Sequence, residues 1–209
     1  AYQQDSKTSK ELLDRDKENR LLARGPARRL TAEMIRDNAL AASGLLNKKM
    51  GGPSVKPYQP DGLWRINGAT YIPDTTDEVY RRSLYVIVKR SVQNPTLGTF
   101  DATSRSYCVV RRQKTNTPLQ ALVTLNDPTF VEVSKVLGER MAKEENVEKS
   151  IMITYNKLTG KLPKAKELAL LKELQQKELS KFNASISKAK GWLETGFYEI
   201  NPELDMPLV

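Results

Sequence analysis

The side chains best able to hold or transform a ligand are concentrated between residues 100 and 126. Phe100, Asp101, Ser104, Arg105, Arg111, Arg112, Asn116, Thr117, Gln120 and Asn126 mix carboxylate, guanidinium, hydroxyl and amide groups on loops beside two expected helix starts. Helix N-termini attract anions. One reading makes Asp101, Arg105, Arg111, Arg112, Asn116, Gln120 and Asn126 the lining of a pocket for a phosphate, sulfate, carboxylate or sugar. The other makes them an internal network, in which arginines and amides satisfy the backbone of loops that lack ladder hydrogen bonds. A hydrolase or lyase built here would use Asp101 and the arginines.

Other chemistry is tightly bounded. The chain has no histidine and a single cysteine, Cys108. Within it there can be no Ser-His-Asp triad, Cys-His pair, His-ligated metal or internal disulfide. Covalent haem attachment needs C-x-x-C-H and is equally excluded. No metal site and no cofactor are expected in this chain. Cys108, in the apolar run SYCVV, reads as a small buried hydrophobe. The alternative is a reactive thiol stabilised by Arg105 and Arg111. Gly51-Gly52-Pro53-Ser54 could offer amides to an anion but lacks the G-K-[ST] of a P-loop, and reads as a turn. Asp74, Asp77 and Glu78 share a turn and read as solvated. Asp37 and Asp101 are the better acid/base candidates, although a glycosidase needs two such groups facing each other.

The elements that must position these residues follow from charge and periodicity. The net charge of +9 resides in the first 120 residues, and 13 of the 14 arginines precede residue 113. Arginine suits buried, bidentate or anion-binding roles, so the specific polar structure is expected there. A nucleic-acid-binding module is an alternative, but the arginines are spread over several elements and no known motif appears. No stretch is long and apolar enough to span a membrane.

Residues 8–24 suggest a short helix or two ending at Gly25-Pro26. Thr31 caps a helix over 31–46 whose inner face is Met34, Ile35, Ala39, Ala42, Leu45 and Leu46. Glycines and prolines from 51 to 77 impose a long irregular segment, with a short strand at 69–72. Tyr80, Leu84, Ile87, Val88 and Ser91 predict a helix over 79–91, with a strand as the alternative because of the β-branched run 86–88. Residues 93–116 are again irregular, with a strand at 106–110. Thr117-Pro118-Leu119-Gln120 is a capping box, and Asp127-Pro128 a second start. Helices are expected over 118–125, 128–143, 147–158 and 164–181, and none near Trp192 and Phe197. The final MPLV reads as the opening of a further helix.

In this picture Leu119, Leu122, Val123 and Leu125 anchor a corner in the core. One of Arg111 and Arg112 is buried against Asp101 or Asp37. The fold class is a mainly α helical domain with a long irregular middle segment and at most a small β-sheet.

Six segments also carry a family likeness: NRLL at 19–22, RRLTAEMIRDNAL at 28–40, GGPSVKPYQPDGLW at 51–64, YRRSLY at 80–85, FDATSR at 100–105 and VVRRQKTNTPLQALVTLNDPTFVE at 109–132. In this order the chain resembles the uncharacterised C-terminal domain of planctomycete-type cytochrome c proteins. The resemblance implies that 1–160 is the main part of that domain, without its N-terminal portion, and that 161–209 is its helical C-terminal extension, cut before the last helix. It implies a non-haem structural or ligand-binding module of a larger exported protein, periplasmic or at the cell surface. Any haem would belong to a neighbouring domain, the partners would be other domains of the same polypeptide, and the setting would be polysaccharide breakdown. An anionic or carbohydrate ligand fits both this likeness and the 100–126 cluster.

Overall fold

The computed structural model describes residues 4–26, 28–204 and 209, without the side chains of 66 and 67. The MPLV end falls outside them except for Val209. The chain divides into two compact units, Ala1–Leu30 and Thr31–Val209. In the first, helix α1 (Lys10–Arg15) is capped by Ser9, whose hydroxyl oxygen accepts from the Leu12 amide. One helix forms, because Asp16 then diverts the chain: its carboxylate accepts from the amides of Arg20 (2.8 Å) and Leu21 (2.7 Å). Arg24 closes the turn on the carbonyls of Asp16 and Lys17.

The second unit carries α2 (Ala32–Ser43), α3 (Pro95–Thr99), α4 (Pro118–Asn126), α5 (Pro128–Ala142), α6 (Val147–Thr159), α7 (Ala165–Ala184) and α8 (Ile186–Leu193). Three isolated bridges are the only β-pairing among the described residues, so the fold is mainly α. Helix α5 is the hub, packed against α2, α4, α6 and α8. Its N-cap Asp127 also ends α4: the Asp127 amide donates to Val123 O (2.9 Å), and its carboxylate accepts from the Thr129 amide (2.9 Å) and the Thr96 hydroxyl. One aspartate thereby joins three helices.

The stretch between α2 and α4, largely irregular, supplies half of the core. Val55, Val79, Tyr80, Val86, Leu97 and Phe100 pack with Ala39 and Leu40 of α2 and with Phe130, Val133 and Leu137 of α5. Phe100 meets Phe130 edge-on at 6.3 Å between ring centroids. A coil this well buried must find partners for its backbone. Two buried arginines provide them. Arg36 on α2 donates to the carbonyls of Arg81 (2.8 Å) and Val79 (2.5 Å) and to the Ser83 hydroxyl (3.2 Å). Arg81, fully buried, donates in turn to the carbonyls of Lys49, Gly51 and Pro53 and stacks on Tyr85, its guanidinium 4.0 Å from the ring centroid. The turn of Asp74, Asp77 and Glu78 is used as well: Asp74 accepts from the Lys56 amide, Asp77 from Asn47, and Glu78 pairs with Lys49 and Arg81.

This relay corrects the expected helix over 79–91. A helix there would need the carbonyls of Val79 and Arg81 for its own amides, but Arg36 occupies them, and the Ser83 amide goes to Asp37 (2.7 Å). The segment instead forms two 3-10 turns, Asp77–Tyr80 and Ser83–Tyr85. Val86 then runs parallel to Val55, as the β-branched run allows. The strands expected at 69–72 and 106–110 are also absent. Tyr71 is held by its hydroxyl on Pro57 O and by its ring on Trp64.

The expected buried pair is corrected too. The buried arginines are Arg36 and Arg81, and Arg111 is exposed. Asp37 does border a buried arginine, 3.9 Å from Arg36. Helix α2 turns Leu40 inward and leaves Met34 exposed.

The turn between residues 193 and 198, after α8, is assembled on two charged residues of α5. Glu132, with no exposed surface, accepts from the hydroxyls of Tyr80 (2.7 Å) and Tyr58 (3.0 Å) and from the amides of Phe197 and Tyr198 (2.6 Å each). Lys135 donates to the carbonyls of Leu193, Thr195 and Tyr198. Burial pulls the Lys135 ammonium below its ordinary pKa, against the pull of Glu132. Burial and the Glu132 carboxylate together push the Tyr58 and Tyr80 hydroxyls well above theirs. Gly196 must be glycine here: its φ is +82°, and a Cβ would lie 2.5 Å from Glu132 Oε1.

Replacing Glu132 with Leu strands two hydroxyls and two amides, and is expected to lower stability by about 3–5 kcal/mol in urea unfolding. Gly196→Ala is expected to cost at least ~1 kcal/mol through its left-handed φ alone. A loss under about 1 kcal/mol for Glu132→Leu would mean that the tail does not depend on this carboxylate.

Candidate functional site

The 100–126 region is organised from Asp101 outward. Asp101 has φ +64°, in the left-handed region. Asp and Asn are among the non-glycine residues that tolerate it best. Its carboxylate accepts from the Thr115 amide (2.7 Å) and hydroxyl (2.8 Å). The Thr115 oxygen accepts in turn from Gln120 Nε2 (3.1 Å), which also donates to Thr99 O (2.9 Å). Gln120 Oε1 takes the Thr117 amide (3.3 Å), the return half of the capping box. Gln120 is almost wholly buried, whereas Asp101 and Thr115 are half-buried. Asp101, Thr115 and Gln120 thus tie α3, the loop before α4 and the start of α4 into one closed chain of hydrogen bonds.

The other candidates lie apart from that chain. Arg112 pairs with Glu33 of α2 at 2.7 Å. Burial pushes the Glu33 carboxyl up, but the Arg112 hydrogen bond and charge outweigh it and hold the group below the ordinary glutamate value. The same bond raises Arg112. Asn126 donates to Leu122 O of its own helix (2.8 Å). The side chains of Arg105, Arg111 and Asn116 are exposed and make no hydrogen bond or ion pair among the described residues.

Two expectations about apolar groups are corrected at this site. Cys108 is exposed, as are Tyr107 (74%) and Val110 (107%) beside it. The run 106–110 forms no strand, and none of its residues belongs to the core cluster, to which Leu97, Phe100 and Phe130 do belong. Leu119, Leu122 and Leu125 likewise face outward, 54–65% exposed, and only Val123 packs against the core. The reason is the buried Gln120, which fixes the inner face of α4 one residue away from the leucine stripe.

Sequence reasoning missed two concave features. One is an apolar cleft of about 360 Å³ between α4, α5, α7 and α8, walled by Leu125, Leu179, Phe182, Trp192 and Leu193. Helix α8 was not expected at all, so this cleft had no visible wall. The other is an open hollow of about 420 Å³ in the loops around residues 103–109, which adds Arg90, Thr103, Ser106 and Tyr107 to Arg105 and Cys108. Arg90 was hidden by its assignment to a helix. The apolar cleft offers burial without a free charge, since the Lys135 ammonium on its wall is committed to three carbonyls. The hollow is polar and basic. Among the described residues no group of three or more Cys, Asp or Glu side chains could hold a metal ion, and no helix is long and apolar enough to cross a membrane.

The Glu33–Arg112 pair makes stability depend on pH. The Glu33 pKa is lower folded than unfolded, so its contribution is complete above the unfolded value, about 4.3, and is lost as pH falls through the folded one. The stability difference between the natural chain and Glu33→Gln is expected to be constant from pH 7 to 5 and to shrink below about pH 4. A difference that persists undiminished at pH 2 would refute the pairing.

No curated protein and no solved structure matches this chain. A family match covers residues 1–175 and includes every segment of the 100–126 network and of the Arg36–Arg81 relay. The chain therefore belongs to the PSD1 family, proteins of unknown function (DUF1553).

Proposed function

We propose that this chain is a non-haem, non-catalytic module, structural or ligand-binding, of a larger exported protein that carries a c-type cytochrome domain elsewhere and acts in polysaccharide breakdown. The observation that supports the module reading is how its buried charges are used. Arg36, Arg81 and Lys135 bond mainly to main-chain groups of the irregular segments, Glu132 bonds to two main-chain amides and two tyrosine hydroxyls, and Asp101 is taken up by Thr115. Charges used in this way shape loops and are not free to act as an acid–base pair on a substrate. The cytochrome setting follows the family likeness alone.

Two measurements test it. The purified chain, screened against chromogenic glycosides, esters and sulfate esters and against unsaturated-product lyase assays, is expected to give no turnover above that of Asp101→Asn. Turnover abolished by that substitution would replace this reading with a hydrolase or lyase centred on Asp101. The full-length polypeptide is expected to show a Soret band that the isolated chain lacks, and its absence would remove the cytochrome setting.

A further inference from the structure

The hollow around residues 103–109 has a chemistry that the internal network does not use. Two guanidiniums, Arg90 and Arg105, line it, and neither side chain makes an ion pair or hydrogen bond among the described residues. This contrasts with Arg24, Arg36, Arg81 and Arg112, each engaged with carbonyls or carboxylates. Among the described residues no carboxylate lines the hollow. Thr103 and Ser106 add hydroxyls, and Tyr107 presents a 74% exposed ring.

The backbone that carries these groups is fixed. Arg90 lies on the turn closed by the Lys89–Val92 bridge. Arg105 is held at φ +58°, a conformation that a bulky side chain rarely adopts. Ser106 spans the two, donating to Arg90 O and to Ser104 Oγ, and Gln93 donates to Ala102 O. Unpaired guanidiniums on a preset frame are suited to oxyanions. An exposed tyrosine face beside hydroxyls is suited to the C–H face and hydroxyl edge of a pyranose.

We propose that this hollow binds an acidic saccharide, with its oxyanion, a sulfate ester or a uronate carboxylate, on Arg90 and Arg105 and its ring against Tyr107. The inference builds on the ligand-binding form of the module reading. Cys108, the chain's single thiol, is exposed on the wall of the hollow and serves as the reporter.

The experiment follows the rate at which a thiol reagent modifies Cys108 in the intact chain. The probes are a sulfated disaccharide, a galacturonate trisaccharide, a neutral maltotriose and inorganic sulfate, at matched ionic strength. One or both acidic saccharides are expected to slow the reaction, and maltotriose is not; whichever protects names the oxyanion. Arg90→Gln and Arg105→Gln, both at exposed positions, are expected to raise the half-protecting concentration at least about tenfold, the scale of one lost charge-assisted hydrogen bond. Tyr107→Ala is expected to weaken saccharide protection, and Arg65→Gln to leave it unchanged.

Protection by inorganic sulfate equal to that by the saccharides would overturn the saccharide assignment. No protection, or protection indifferent to both arginine substitutions, would overturn the site. Turnover in the substrate screen would overturn the non-catalytic reading without altering protection of Cys108, so the two failures are separable.

Discussion

A carboxylate that no solvent reaches must be met by donors from the protein, and Glu132 is met by four. Two tyrosine hydroxyls come from the irregular middle segment and two amides from the turn after α8. Helix α5 is buried over most of its circumference, and a helix of that kind would ordinarily be apolar all round. Here it carries Glu132, Lys135 and Glu139 inside as well. Each has to be satisfied, and the partners available are the main chain and the tyrosines of segments with no regular structure of their own. The ionic groups of α5 and the arginine relay from α2 therefore do for these loops what a sheet would do in another fold. They give the carbonyls of Val79, Arg81, Lys49, Gly51, Pro53, Leu193, Thr195 and Tyr198 and the amides of Phe197 and Tyr198 a partner.

The helices whose starts are chemically marked could be read from the sequence. Pro118 and Pro128 behind Thr117 and Asp127, Asn146 before α6 and Thr31 before α2 all act through neighbours within three residues, so the signal is local. The segment 79–91 shows the opposite case. Its periodicity is helical, but its carbonyls are claimed by an arginine more than forty residues away, and no pattern within the segment records that. Helix α8 was illegible because it carries one buried residue, Ala189, and its end is fixed by Lys135 on another helix.

The candidate site divides along the same line. Asp101 and Gln120 were singled out by residue type, and they meet through Thr115, which was not. Arg105 was singled out, but the groups that make a hollow with it come from a turn assigned to a helix and from an apolar run assigned to the interior. The rule that apolar runs are buried fails at Tyr107 to Val110, which stay exposed while Phe100 and Phe130 serve the core. The same rule fails along the leucines of α4, where a single buried glutamine sets the helix rotation. Composition and spacing name the groups able to do chemistry; which of them face one another is decided by what has already occupied the core.

The lock between α5 and the tail also bears on how the chain is made. The Phe197 amide and the Tyr58 hydroxyl, bonded at 2.9 Å, are 139 residues apart. At the pace of synthesis, about 5–20 residues per second, Glu132 emerges several seconds before Phe197 and Tyr198. During that interval its carboxylate lacks two of its four donors, and Lys135 lacks all three carbonyls it donates to. The hub helix can be made and capped at Asp127, but its inner charges stay hydrated until the turn after α8 arrives. The order of translation thus keeps the centre of this unit wet until the residues that follow α8 have emerged.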